Sequence, residues 1–382
     1  MKVSILAALI GVALIFVVLW DAFETIVFPR RVTRKFRLTR LFYRNTWRVW
    51  SAVVSFVFRD GRQENYLSYF GPLSLILLLS IWAVGLIFGF ALLNWASGPP
   101  AWISEGTAGF GTDLYFSGTT FFTLGLGDVR PLTPFARVLT VFEAGLGFGF
   151  LALVIGYLPA LNQSFSKREA NISLLDARAG SPPTAAEMIR RQCRDNVMDT
   201  LLQHLNEWER WSAELLESHL SYPVLAFFRS QHDNQSWLAA LTTILDTSAL
   251  VISGLEGVCE RQAHLTFAIA RHTAVDLSLV FNRPPLKTER DRLSSDDLAR
   301  LRASLAAVGV KMRDGGEMEQ NLTALRVLYE PYVYSLSQYL RLTVPPWIME
   351  STGKDNWQTS AWERRIRIKR EGKEPGVEDE HF

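Results

Sequence analysis

The sequence predicts an all-α membrane protein with three transmembrane helices, a re-entrant pore helix with the filter loop that follows it, and a helical cytosolic domain. Three hydrophobic runs, residues 3–20, 73–95 and 135–161, are long enough to cross a bilayer, which needs about 20 apolar residues. A shorter apolar segment, residues 114–122, lies between the last two runs. The chain beyond residue 166 is more polar and has helical periodicity, which indicates a separate folded part.

The overall composition agrees with a membrane part joined to a polar part. Hydrophobic residues make up 48% of the 382 residues, which is high for a soluble protein, yet charged residues still reach 20%. The net charge of +2 is uninformative because the charges are segregated along the chain. Cys193 and Cys259 lie far apart and have no metal-ligand spacing, so reduced thiols are the favoured interpretation and no disulfide framework is expected.

Residues 3–20 form an uncharged run that would extend ~27 Å as a helix. A signal peptide is the competing interpretation, but no small-residue cleavage site follows the run. The positive-inside rule places the basic loop that follows in the cytoplasm and the N-terminus outside. We therefore expect residues 1–30 to be a transmembrane helix, with Asp21 and Glu24 pairing with this loop. The basic residues are Arg30, Arg31, Arg34, Lys35, Arg37, Arg40, Arg44 and Arg48.

Residues 31–65 are predicted to form a basic amphipathic segment at the inner membrane surface. An apolar stripe with helical spacing lies on one face, and Arg40, Arg44 and Arg48 repeat on another. Such a helix directs its arginines toward anionic lipid headgroups. The alternative is a solvated basic helix packed on the cytosolic domain; nucleic-acid binding is not expected so close to two spans. The stripe consists of Tyr43, Trp47, Trp50, Val54 and Val57.

Residues 66–165 contain two spans with a half-length helix between them. Residues 97–100 stop the first of these spans, and several glycines keep the following external loop irregular. Thr112 is a plausible N-cap, with Asp113 in the first helical turn. The helix would reach about Thr123, a length of ~15 Å or half the hydrocarbon core. Its C-terminal dipole would then point toward mid-membrane and favour a cation there.

The loop after the half-helix is the stretch on which a function depends. Glycines at alternate positions permit backbone angles that other residues avoid, so successive carbonyls can point to one side. Such a row of carbonyls can replace the hydration shell of a cation. A threonine hydroxyl precedes the glycines and a carboxylate follows them. The loop consists of Thr123, Leu124, Gly125, Leu126, Gly127 and Asp128.

This hexapeptide, placed behind a half-helix and between two spans, resembles the T-V-G-Y-G-D selectivity filter of potassium channels. The resemblance is to the bacterial potassium channel family, with an extra N-terminal span, and implies four copies around one axis. It implies potassium in the filter, no other cofactor and no enzymatic activity. Leu126 stands where the family usually has tyrosine, which braces the filter through its hydroxyl. Because Tyr115 and Phe116 occupy the matching helix positions, we expect the brace to be mostly apolar packing.

The inner span, residues 135–161, carries three glycines near its middle. By the resemblance, a glycine at this distance from the filter is the hinge that opens the inner gate, and Gly147 is the best placed. Gly145 and Gly149 also form a Gly-x-x-x-Gly pattern, so close helix packing is an equal alternative.

Glu143 is a carboxylate about two turns into this otherwise apolar span, and such residues usually face the bundle interior. Many potassium channels have a carboxylate on the pore helix behind the filter, where this chain has Thr119. We therefore predict that Glu143 supports the filter by bonding Thr119, Thr120 or filter amides. The alternative is that it faces a neighbouring subunit and satisfies helix packing.

Residues 166–360 are predicted to form the helical cytosolic domain. We expect a linker over residues 171–186, an amphipathic helix over 187–220 and a helical segment over 236–281 that Gly254 and Gly257 interrupt. Residues 236–255 are apolar enough to suggest another span, but Asp246 and several hydroxyl residues favour a buried bundle helix. The apolar face of the amphipathic helix holds Leu201, Leu205, Trp208, Trp211 and Leu215.

Two more helices, over residues 293–312 and 317–342, complete this domain, and the charged tail over residues 361–382 is expected to be disordered. No strand–turn–helix with a Gly-rich nucleotide fingerprint is present in this half of the sequence. Helical spacing groups Glu256, Glu260 and His264, and likewise His272 and Asp276, but a polar helix face is favoured over a metal site. The sequence thus predicts no ligand for this domain.

These observations lead to one functional prediction with two alternatives. The prediction is a homotetrameric, potassium-conducting channel of the bacterial inner membrane, with its C-terminal domain in the cytoplasm. One alternative is a non-conducting receptor or scaffold whose pore-like module anchors and oligomerises the cytosolic domain. The other is a weakly selective monovalent cation channel, since Leu126 replaces the usual tyrosine.

Overall fold

The computed structural model describes residues 2–28, 37–58, 63–97, 101–103, 109–193, 199–231, 234–255, 260–287 and 291–349. The predicted fold class is confirmed: the described chain is helical apart from one short two-stranded sheet. The chain divides into two compact units. The first comprises Met1–Phe58 and Tyr69–Gln163, and the second comprises Arg59–Ser68 and Ser164–Phe382.

Four helical stretches of the described chain are long and apolar enough to cross a membrane: Ser4–Val27, Gln63–Ala96, Pro134–Ala179 and Trp237–Gly254. The first three correspond to the predicted spans. Their helices are α1 (Lys2–Ala22), which continues as a π-helical turn over Phe23–Val27, α4 (Phe70–Ala96) and α6 (Pro134–Ala179).

In the first unit, α1 packs closely against α4 at a pair of glycines. A Cβ added to Gly11 would lie 2.7 Å from the carbonyl oxygen of Gly89, and a Cβ on Gly89 would lie 2.6 Å from Ile15 Cγ1. Backbones approach this closely only where side chains are absent, as is common between membrane helices. Helix α1 is therefore packed directly on α4.

The amphipathic helix α2 (Leu38–Val57) is anchored at the C-terminal end of α1. Asp21 accepts hydrogen bonds from the Thr39 amide (3.2 Å), the Thr39 hydroxyl (2.6 Å) and the Trp82 indole of α4 (3.0 Å). Glu24 lies 3.7 Å from the Arg37 guanidinium, as the pairing with the basic loop predicts. Asp21 instead binds uncharged donors, because it lies between α4 and the first turn of α2. Residues 29–36 lie outside the described residues.

The described part of the connection before the half-helix is a strand, where the sequence predicts an irregular loop. Strands β1 (Ala101–Ile103) and β2 (Val129–Pro131) pair antiparallel, with Trp102 opposite Arg130. The half-helix α5 spans Phe110–Phe121, and Gly109 is its N-cap, so the assignment of Thr112 as N-cap is wrong. The amides of Thr112 and Asp113 already bond the Gly109 carbonyl, which starts the helix earlier than Thr112 would allow.

The second unit is a helical bundle built around α9 (Trp237–Gly254), of which 94% is buried. This agrees with the bundle-helix interpretation, because neighbouring helices cover α9 on all sides. The other elements are α3 (Gln63–Ser68), the end of α6, α7 (Ala185–Gln192), α8 (Asp199–Ser221), a 3₁₀ turn (Pro223–Phe227), α10 (Glu260–Val280), α11 (Ser295–Ala306), α12 (Gly316–Val327) and α13 (Glu330–Leu340). The predicted apolar face of α8 is buried.

Three boundaries in this unit differ from the predictions. The linker expected over 171–186 is helical as far as Ala179, because Ile172, Leu175 and Ala179 recur at helical spacing and are buried. The helix expected over 187–220 is two helices, with residues 194–198 outside the described part. The helix expected over 317–342 is also two, since Pro331 in the first turn of α13 cannot continue a preceding helix.

A buried ion-pair network closes the bundle. Asp246 of α9 pairs with Arg292 (Oδ2 to Nη2, 2.7 Å) and accepts a hydrogen bond from the Tyr329 hydroxyl. Arg292 also pairs with Glu330 (3.0 Å) and donates to the Pro345 carbonyl (2.8 Å). A carboxylate on a fully buried helix face is stable only with such partners. The network therefore holds the chain after α10 and α12 against the central helix.

Candidate ion-conduction site

The predicted filter loop directly follows the C-terminus of the half-helix α5. The helix closes with hydrogen bonds from the Phe122 amide to Gly118 (3.1 Å), the Thr123 amide to Thr120 (2.9 Å) and the Leu124 amide to Thr119 (2.8 Å). Beyond Leu124 the backbone leaves the helix in an extended, turning path. The carbonyl end of the α5 dipole therefore faces the start of this loop, where it favours positive charge.

The loop backbone alternates in handedness. Thr123, Gly125 and Gly127 have positive φ angles of 56°, 57° and 80°, while Leu124 and Leu126 between them do not. Alternation of this kind turns successive carbonyls to the same side of a strand. The sequence predicts it for the two glycines but misses Thr123, since threonine rarely adopts a left-handed conformation. The Thr123 amide bonds the Thr120 carbonyl (2.9 Å) in this conformation, which the side chain of threonine disfavours.

The outer end of the loop is held by polar contacts. The Tyr115 hydroxyl donates to Asp128 (2.8 Å), and Arg130 Nε donates to the Gly127 carbonyl (2.8 Å). The expectation of a mostly apolar brace is therefore wrong: Phe116 is buried, but Tyr115 binds the filter aspartate directly. Local sequence could not reveal this bond, because it joins a helix residue to a side chain thirteen positions later.

Glu143 is fully buried behind α5, as predicted, but its partner differs. Its carboxyl group is hydrogen-bonded to the Ser117 hydroxyl, which also lies 2.8 Å from the Ile87 carbonyl of α4. The predicted bond to Thr119 or Thr120 is not formed; both are buried, and Thr119 Oγ1 donates to the Phe116 carbonyl instead. The residue that sequence reasoning missed is Ser117, one turn before Thr120 on the same face. It joins α4, α5 and α6 at one point.

The glycines of α6 differ in their surroundings within one chain. A Cβ added to Gly147 would collide with the backbone carbonyl of Phe121, at the end of α5. A Cβ added to Gly145 or Gly149 would meet nothing within 4 Å. The close-packing alternative thus applies to Gly147 rather than to the Gly145–Gly149 pair, and α6 is continuous through all three.

The surface of α2 has three distinct sides. One side, which includes Trp47, is buried and packs on Phe70 of α4, with ring centroids 4.8 Å apart. A second side carries the predicted headgroup-binding arginines, of which Arg44 and Arg48 are exposed and Arg40 is partly exposed. The third side is apolar and exposed, including Phe56 at 87%. The predicted stripe extends to Val57, which is exposed rather than buried.

Two other predictions concern metal binding and cysteines. Among the described residues, no group of three or more His, Cys, Asp and Glu side chains is placed to hold a metal ion. His272 and Asp276 are neighbours at i,i+4 spacing, with Nε2 and Oδ2 3.3 Å apart. Cys193 is free and buried, and burial raises the pKa of its thiol to about 12. Glu256 and Cys259 lie outside the described residues.

Comparison with known proteins shows a similarity that covers part of the first unit. Residues 76–163, which include α5, the filter loop and the first part of α6, match a family described as "Ion channel". The resemblance to pore-loop ion channels predicted from the sequence is thereby confirmed over this segment. An uncharacterized membrane protein of Bacillus subtilis (strain 168), YdjJ, is 27% identical over 192 residues, which cover 48% of this chain and 54% of that protein. The chain thus spans about half the length of this relative. No solved structure matches.

Proposed function

We propose that this protein conducts potassium ions through a pore that four copies of residues 123–127 enclose. The observation that carries the proposal is the alternating backbone of Thr123, Gly125 and Gly127 at the end of a half-length helix. That geometry is what a row of ion-coordinating carbonyls requires, and the match to ion channels covers the same residues.

The surroundings of the loop support assembly from several copies. Leu124 and Leu126 are 61% and 63% exposed in the single chain, and a Cβ at Gly125 would meet nothing within 4 Å. Large apolar side chains on the same part of α6, such as Val141 and Phe148, are also exposed. One loop cannot surround an ion, whereas a closed ring of identical loops can. Native mass spectrometry of the purified protein tests this: a mass of four chains is expected, and a monomer contradicts the proposal.

Potassium selectivity is proposed from the filter length and the Tyr115–Asp128 bond, which restrains the outer end of the loop. A weakly selective monovalent cation channel is the second candidate, and the lack of a hydroxyl at Leu126 favours it. Ion flux into liposomes containing the purified protein separates the two. Potassium flux well above sodium flux supports the proposal, and equal fluxes support the second candidate. The absence of both leaves the receptor or scaffold alternative.

We further propose the bacterial inner membrane as location, with the N-terminal end of α1 outside and the second unit in the cytoplasm. The arginine-rich stretch after α1 supports this orientation. Reporter fusions after Arg48 and after Phe382 should report the cytoplasm, and one inserted before Gly109 the outside. A periplasmic C-terminus would contradict the arrangement.

The arginine side of α2 is proposed to bind anionic lipid headgroups while its exposed apolar side enters the membrane interface. Replacing Arg44 and Arg48 together by glutamine should weaken binding of α2 to vesicles containing anionic lipid. Glutamine keeps most of the side-chain length and helix propensity, so unchanged vesicle binding would contradict the proposal.

The filter is proposed to be supported from behind by Glu143 through Ser117, and from the side by Tyr115 through Asp128. Gly147 allows α6 to approach the end of α5 and thereby positions the same loop. A separate proposal follows from the resemblance to potassium channels: Gly147, together with Gly145 and Gly149, forms the gating hinge.

A further inference from the structure

Two buried arginines of the second unit fix one short segment, which we call the strap (residues 223–229): Arg168 binds its backbone, and Arg229 belongs to it and binds other segments. Arg168, on the continuation of α6, donates from Nη1 to the Leu225 carbonyl and from Nη2 to the Phe228 carbonyl, both at 2.8 Å. A guanidinium has a rigid planar fork, so two such bonds fix both the distance and the orientation of the strap.

The second arginine is Arg229, the last residue of the strap. Its Nη1 lies 3.0 Å from the Glu64 carboxylate of α3 and 3.0 Å from the Arg341 carbonyl, and its Nη2 donates to the Leu340 carbonyl (2.6 Å). Burial lowers the pKa of Arg229, although the nearby Glu64 carboxylate opposes this shift. A guanidinium in such a place is costly without its partners, so these bonds are strongly favoured over an unpaired arginine.

The strap itself is firmly held. Pro223 begins its 3₁₀ turn, and the side chains of Val224, Leu225 and Phe227 are buried. The Trp237 indole donates to the Ala226 carbonyl (3.3 Å). A short, proline-initiated and buried segment has few alternative conformations, so displacement at one end is passed to the other.

From these contacts we infer that the strap couples two helices mechanically. They are the end of α6, which follows the pore module, and α3, which precedes it. The strap joins the continuation of α6, through Arg168, to α3, through Arg229 and Glu64. Only Tyr69 separates α3 from α4 in the chain. Because α3 leads into α4 and α6 continues from the pore module, a change in the strap is passed along the chain to both pore helices and so sets ion conduction. This inference rests on the proposed channel function.

The test measures amide hydrogen exchange and ion flux on the same full-length protein. Arg168→Lys keeps the charge but removes the fork, and Arg168 does not contact α3. Coupling predicts about fivefold faster exchange of the α3 amides in this variant. Glu64→Ala, which leaves Arg229 its two carbonyl acceptors, should speed exchange of the strap amides by a similar factor. The matched control is Glu260→Ala, which removes another exposed carboxylate 3.1 Å from an arginine and should change neither segment.

Flux gives the second readout. Both Arg168→Lys and Glu64→Ala should change potassium flux in the same direction, by about threefold or more, and Glu260→Ala should not. Exchange that speeds up only next to each substitution would overturn the coupling. Coupled exchange with unaltered flux would overturn the effect on conduction. Absence of flux in the unmodified protein contradicts the channel proposal instead, and the exchange experiment still decides whether the strap links α3 to α6.

Discussion

Apolar helices are exposed in the first unit and buried in the second. In α4 and in the first part of α6, large apolar side chains such as Ile76, Val84 and Val141 remain exposed in the single chain. In α9, which is also apolar enough to cross a membrane, 94% of the helix is buried by its neighbours. Apolar composition therefore identifies a helix that avoids water, and only its neighbours decide whether protein or lipid surrounds it.

Two buried carboxylates of the first unit have partners of a different kind from those of Asp246 in the second unit. In the first unit, Asp21 and Glu143 are bonded by hydroxyl, amide and indole donors. In the second unit, Asp246 is matched by the guanidinium of Arg292. A full ion pair brings two charges into the interior and is stabilising only with good geometry, whereas neutral donors add no second charge. Asp21 and Glu143 are therefore held without a second buried charge, whereas Asp246 depends on the Arg292 guanidinium.

The largest expected effect is that of a substitution in the proposed filter, which should alter ion flux and leave the second unit unaffected. Gly125→Ala introduces a Cβ at φ +57°, where L residues are strained by ~1–3 kcal/mol in each copy. Potassium flux in liposomes should fall by at least ~100-fold, while denaturant unfolding of the second unit should change by less than ~0.5 kcal/mol. Gly111→Ala is the matched control, because its added Cβ meets nothing within 4 Å at an ordinary φ. Undiminished flux in Gly125→Ala would refute the filter.

The reciprocal variant is Arg292→Met in the second unit. It leaves Asp246 buried without its cation, so the free energy of unfolding of this unit should fall by ~3–5 kcal/mol. Denaturant unfolding of the detergent-solubilised protein measures this loss in the free energy of unfolding. The control is Arg302→Met, whose partner Glu319 is exposed and 3.0 Å away, with an expected loss below ~1 kcal/mol. Equal losses in the two variants would show that burial of the network is unimportant.

The close approach of α6 to α5 gives a smaller effect with an internal control. Gly147→Ala places a methyl group against the Phe121 backbone, which cannot move aside as a flexible side chain can. The expected cost is ~1–3 kcal/mol in the first unit, measured by its thermal unfolding in detergent. Gly145→Ala, two residues away in open space, should be neutral or slightly stabilising. If both variants behave alike, the contact is not important for the position of α6.

Glu143 provides a test of filter support by a polar partner. Glu143→Gln retains a group that can bond Ser117 and should keep potassium flux and selectivity within about twofold. Glu143→Leu leaves the Ser117 hydroxyl without this partner and should lower the potassium-to-sodium flux ratio, by about fivefold. Wild-type selectivity in the leucine variant would assign Glu143 to helix packing alone.

The smallest effect concerns pH and the second unit alone. Burial, with Arg168 nearby, lowers the pKa of His219 to about 3, against ~6.5 in an unfolded chain. Below pH ~6.5 the unfolded state therefore binds a proton that the folded state does not, so stability falls as the pH falls toward 3. The contribution is at most about 1.4 kcal/mol per pH unit. Between pH 7 and 5, the free energy of unfolding should depend less on pH in His219→Gln than in the exposed control His264→Gln. Equal slopes of this free energy against pH would contradict the lowered pKa of His219.

Much of the candidate site was predictable because its signals are local. The alternating Gly125 and Gly127, the short helix before them and the hydrophobic runs on either side each depend on a few neighbouring residues. The same is true of α9, where Asp246 within an apolar run indicates a buried partner rather than lipid. Helix spacing was sufficient to place Leu201 to Leu215 on one buried face.

What the sequence by itself determined is the order of spans, half-helix and loop, since backbone hydrogen bonding and apolar length are properties of single segments. Only the tertiary structure decided which side chains meet: Ser117 with Glu143, Tyr115 with Asp128, Gly147 with the Phe121 backbone. It also decided the left-handed conformation of Thr123 and the length of α6 beyond the predicted span. Each of these three side-chain and backbone contacts joins groups far apart in the chain, and its energy is set by geometry that no local pattern records.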